Sequence, residues 1–105
     1  MSWPETADGD VFRRLEASGF DFSVAHVVDY NVDFDSWPPT AEAISLLRNA
    51  FGQVSVHADQ AETSGYVKFQ ETGLLKYERV VTVQELATQA MAPFGGVCES
   101  WGVLH

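Results

Sequence analysis

The stretch His26-Val27-Val28-Asp29-Tyr30-Asn31-Val32-Asp33-Phe34-Asp35 decides the fold. Val28, Tyr30, Val32 and Phe34 alternate with Asp29, Asn31, Asp33 and Asp35. A period of two predicts a strand with one apolar and one polar face. Aspartate is a poor strand former, so the apolar set must hold the register while the aspartates face water.

Downstream, Trp37-Pro38-Pro39 breaks the strand and Thr40 is placed to cap a helix. Ala43, Ile44, Leu47, Ala50 and Phe51 form that helix's apolar stripe, and Gly52 ends it. Val54, Val56 and Ala58 alternate with Ser55, His57 and Asp59, which predicts a second strand. A turn at 61–65 leads to a third strand from Tyr66 to Phe69, extending less regularly toward Leu75. Thr82 and Glu85 have the spacing of a capping box and predict a helix buried through Val83, Leu86, Ala87, Ala90, Met91 and Phe94. Gly95-Gly96 then turns the chain into a last strand, Val97 to Val103. Its alternation sets Cys98 on the face opposite Trp101.

Upstream, Phe20 to Ala25 is an extended connector. Before it, a short helix is capped by Asp8, buried through Val11, Phe12 and Leu15, and stopped by Gly19. Met1 to Ala7 has no periodicity and reads as a flexible tail. After the first helix the order is strand–helix–strand–strand–helix–strand. This is an α+β, ferredoxin-like βαββαβ sandwich with two helices on one face of an antiparallel sheet.

Composition narrows the function classes. In 105 residues there are 15 acidic and 6 basic side chains, a formal charge of −9. Residues 1–62 carry 11 acids and 3 bases, so the imbalance is concentrated before the third strand. Such a chain repels phosphate backbones, and direct nucleic-acid binding is not expected. Lys68, Lys76 and Arg79 are too few for an RNA-binding stripe. Tyr66 and Phe69 fall on opposite strand faces, so they cannot stack bases as a pair. No secretory signal, membrane span or phosphate loop is present, which leaves a cytoplasmic protein as the expectation. The single cysteine, Cys98, fits a reducing compartment and reads as a small buried hydrophobe.

Several segments together resemble the regulator of ribonuclease activity B (RraB) family. They are Asp8-Gly9-Asp10-Val11, Leu15 through Ser23, His26 through Phe34, Ala92-Pro93-Phe94-Gly95-Gly96, and Glu99-Ser100-Trp101-Gly102. The resemblance spans about residues 8–103. It implies an acidic, non-enzymatic, ferredoxin-like inhibitor of ribonuclease E that binds the ribonuclease rather than RNA. Residues 8–105 then form one RraB-like domain behind a tail at 1–7.

The candidate partner-binding residues are Asp29, Asn31, Asp33, Asp35, Trp37, His57 and Asp59. Carboxylates about 7 Å apart along a strand can receive arginines through charge-assisted hydrogen bonds. They equally serve to keep one sheet face soluble. His57 and Asp59 supply only part of a metal shell and lack a nucleophile or oxyanion donor for catalysis, so no metal, cofactor or enzymatic role is expected. Trp37 suits a recognition anchor or a packed loop, whereas Trp101 reads as structural. The expected partner is a basic protein, ribonuclease E by resemblance. An immunity or antitoxin role against a basic nuclease toxin is the alternative. Pairing of an edge strand between copies is a further option.

Overall fold

The computed structural model describes residues 3–35, 37–57 and 65–103. Its elements run α1 (Ala7–Ala17), β1 (Ala25–Phe34), α2 (Ala41–Phe51), β2 (Val54–His57), β3 (Tyr66–Leu74), α3 (Tyr77–Met91), a 3-10 turn (Ala92–Phe94) and β4 (Gly96–Val103). Among the described residues this is a mixed α+β arrangement with three α-helices and a four-stranded antiparallel sheet in the order β2-β3-β1-β4.

The alternation in β1 resolves as the sequence demands. Val28, Tyr30, Val32 and Phe34 are buried, and the aspartates lie on the other face. Across the sheet, Tyr30 opposes Phe69 and Val32 opposes Val67, so β3 adds its apolar set to the same side. Phe69 stacks between Tyr30 and Phe51, with ring centroids 5.2 and 4.3 Å away. Leu47 and Ala43 from α2, and Val80, Val83, Ala87 and Met91 from α3, close the core over this face. Thr40 caps α2 as its sequence predicts, its hydroxyl accepting from the Ala43 N–H at 3.1 Å. The opposite sheet face carries no helix among the described residues.

Three expectations are corrected. Residues 3–7 are not loose. Thr6, rather than Asp8, caps α1 by accepting from the Gly9 N–H at 3.0 Å, and Trp3 packs on Phe12 and Phe22 at 5.5 and 5.6 Å. Gly9 makes this fold-back feasible, because a Cβ there would collide with the Pro4 carbonyl oxygen. The Arg13 guanidinium then donates to the Trp3 and Pro4 carbonyls at 2.9 and 3.1 Å.

The second correction concerns α3. It starts at Tyr77, so Thr82 and Glu85 lie inside it and do not cap it. Its buried stripe begins one turn earlier, with Val80, and Leu86 is 48% exposed. The third is a bulge in β4. Ser100 pairs with Asn31 and Cys98 with Val32, which leaves Glu99 as the extra residue. The phase change brings Cys98 and Trp101 to the same core-facing side.

Candidate functional site

The open face of the sheet is built from the polar set of β1 and its cross-strand neighbours. Asp29, Asn31 and Asp33 point to this face, opposite Gln70, Lys68 and Tyr66 of β3. On the other flank they meet Gly102, Ser100 and Val97 of β4. Asp29 accepts from the Gln70 amide at 2.6 Å. The Asn31 amide nitrogen donates to the Ser100 hydroxyl at 3.2 Å, and its amide oxygen is buried without a partner among the described residues. Val27, Leu74 and Val97 are exposed large apolar residues, and the strand register sets all three on this same face.

Not all the sequence candidates converge. His57 shares the open face but lies two strands from β1, on the edge strand β2. Its ring stacks on Tyr66 at 4.6 Å, and Tyr66 in turn opposes Asp33. Ser55 places its hydroxyl 3.1 Å from His57 Nε2, a contact that strand alternation alone foretells because the two residues are two apart. Asp35 lies just past the end of β1. Its N–H donates to the Gly95 carbonyl at 3.0 Å, and its carboxylate lies so close over Gly95 that a Cβ would collide with it. Trp37 is half-buried and its ring lies so close over Gly65 that a Cβ there would collide with it. Asp59 lies outside the described residues.

The row on β1 is thus two carboxylates and one amide, with Lys68 on the neighbouring strand opposite Asn31, between the two aspartates. Sequence reading missed Lys68, Gln70 and Ser100 as members of the face, because only the register joins them. Among the described residues no group of three His, Cys, Asp or Glu side chains could hold a metal ion. Among them, too, no helix is long and apolar enough to cross a membrane.

A second polar node lies on the helix side. Asp8, just inside α1, accepts from the Trp101 indole at 2.8 Å and from the Gln84 amide at 3.2 Å. It ties α1, α3 and β4 together, which is a structural task. Cys98 lies nearby and is buried. Burial, and then the Asp33 and Asp8 charges, push its thiol up to about 12. Such a thiol stays protonated and inert at neutral pH.

Compared with known proteins, residues 5–103 match the family model described as regulator of ribonuclease activity B. No curated protein and no solved structure gives a significant match.

Proposed function

Because this chain belongs to the regulator of ribonuclease activity B family, we propose that it regulates RNA turnover in the cytoplasm by binding ribonuclease E through its open sheet face. The family is one of regulators of ribonuclease activity, and the role we assign is binding without catalysis. The observation that carries the surface assignment is the face of β1 over which no described helix packs, where Asp29, Asn31 and Asp33 stand in a row between β3 and β4. With a chain charge of −9, this face suits a basic segment of the ribonuclease. The exposed Val27, Leu74 and Val97 add apolar area around the carboxylates. A mix of apolar contact and charge is what a protein interface uses. The strand–helix–strand–strand–helix–strand order with β2-β3-β1-β4 pairing supports a ferredoxin-like reading of the fold.

The test is a binding measurement of wild type and the double variant Asp29→Lys/Asp33→Lys against ribonuclease E at two salt concentrations. At low salt the variant should bind about tenfold more weakly or worse, and the difference should shrink as salt screens the charges. Equal binding by both proteins sinks the face assignment. Absence of binding by wild type sinks the partner.

A further inference from the structure

β1 lies in the interior of the sheet, and its backbone groups pair with β3 on one side and β4 on the other. A segment docking over the open face therefore meets side chains and finds no free main-chain partner on β1. Where docking excludes water, the segment's own N–H and C=O groups must be satisfied internally. A helix achieves this and an extended chain does not. Strand addition at the sheet edges is no substitute. At Cys98 the outer edge of β4 is already taken, because the Cys98 N–H donates to the Thr88 hydroxyl of α3 at 2.9 Å. The other edge, β2, lies two strands away from the row on β1.

Along β1 the open face changes character in a fixed order. Val27, with Leu74 opposite Ala25, makes one exposed apolar end, and Val97, opposite Asp33, makes the other. Between them come Asp29, the Asn31–Lys68 pair and Asp33. Lys68 is half-buried and forms no ion pair with either aspartate among the described residues. A partner that covered this ammonium without offering an acceptor would leave a desolvated, unpaired charge. The order negative, positive, negative therefore calls for a partner with the order basic, acidic, basic. From Val27 to Asp33 is about 20 Å at the rise of a strand, which about 13 residues of helix span. Asp29 and Asp33 are about 13 Å apart by the same measure. Helix residues seven or eight apart share one face and rise about 11–12 Å, so they reach both carboxylates. The residue midway between them then meets Lys68.

We propose that the open face receives an amphipathic helix of a protein partner, laid along β1. Its basic residues, seven or eight apart, sit over Asp29 and Asp33, an acidic residue between them meets Lys68, and apolar residues cover both ends. This rests on the reading that a ribonuclease docks on this face, and adds the form and charge order of the docking segment. Lys68 is then the residue that rejects an unbroken run of basic residues.

Two synthetic peptides of about 18 residues in an alanine host, titrated into the full chain and followed by NMR, provide the test. Both carry leucine near each end and two arginines seven apart; one has glutamate midway and the other a third arginine. The glutamate peptide should give saturable shifts at the Val27, Asn31, Lys68 and Val97 amides. It should bind about fivefold more tightly than the three-arginine peptide. Lys68→Glu should reverse that preference, a reversal that misfolding does not produce. A proline in the middle of the glutamate peptide keeps its charge and breaks its helix, and should weaken binding about tenfold or more. Equal binding of the proline peptide overturns the helix, and preference of the wild type for three arginines overturns the charge order. Absence of shifts with both peptides overturns the proposal as well. Concentration-dependent loss of the same signals in the free chain does so too, because a second copy would then cover the face. Ribonuclease E binding is scored separately. Its weakening in Asp29→Lys/Asp33→Lys without a helix preference keeps the ribonuclease reading and overturns this one; the reverse pattern does the opposite.

Discussion

Phe69 and Lys68 are neighbours in β3 with opposite surroundings. Phe69 is 1% exposed, stacked between rings of β1 and α2, whereas Lys68 is half-buried on the other face, opposite Asn31, where no described helix packs. The same contrast runs through β1, where Tyr30 is buried and Asp29 and Asp33 are not. One strand thus serves two media at once, and the period of two keeps them apart. The helix side holds the energy of the fold. The open side carries the polar set of β1, and the proposed binding role is assigned to it.

Substitution of the two neighbours is the sharpest way to break this contrast. Phe69→Ala should cost about 3–5 kcal/mol by chemical denaturation, because it removes a ring from a close-packed stack. Lys68→Ala, at a half-buried position, should cost no more than about 1 kcal/mol. Comparable losses at both sites would mean that the open face is covered in solution, by a partner or by a second copy.

Alkaline pH offers a second, smaller handle on the buried side. The Cys98 thiol, ordinarily near 9.0, is pushed up to about 12 in the folded protein, first by burial and then by the Asp33 and Asp8 charges. The unfolded chain therefore releases this proton at lower pH than the folded one. The associated stability is whole below about pH 9 and is lost as pH rises toward about 12. The buried Tyr30 phenol is raised as well, chiefly by burial, and adds to the loss at higher pH. In Cys98→Ala the melting temperature should begin to fall at a higher pH than in wild type. Superimposable pH profiles would show that Cys98 does not contribute.

The smallest expected effect concerns β4. Glu99 is the surplus residue of the bulge, so its deletion restores regular pairing of Ser100 with Asn31 and Cys98 with Val32. Both faces keep their side chains. The deletion variant should fold with little change in midpoint and retain the Trp101 indole signal of a group bonded to Asp8. An exposed indole in that variant would refute the assignment of the surplus residue.

How much of this was legible beforehand differs from element to element. β1, α2 and the Thr40 cap follow from the spacing of their own residues, since each decision is local. The start of α3 was misread because Thr82 and Glu85 carry a capping pattern that an exposed helix flank tolerates equally well. Only the core, by accepting Val80, extends the helix back to Tyr77. Likewise, Asp8 is a good cap by type. The close approach of Pro4 to Gly9 gives that role to Thr6 and leaves Asp8 free to hold Trp101 and Gln84. Of the candidate site, the β1 row was legible, and the partners that define its charge were not. Lys68 and Ser100 reach Asn31 from 37 and 69 positions away along the chain.

What the sequence by itself determined is the alternation: which side chains of β1 seek water, where the chain must turn, and that its net charge is strongly negative. These follow from periodicity and composition, which are properties of near neighbours. Tertiary structure alone decided the register across strands and the bulge that carries Cys98 to Trp101's side. It alone folded residues 3–6 over α1. Each depends on contacts between segments far apart in sequence, where shape and hydrogen-bond geometry choose among arrangements that local patterns leave equal.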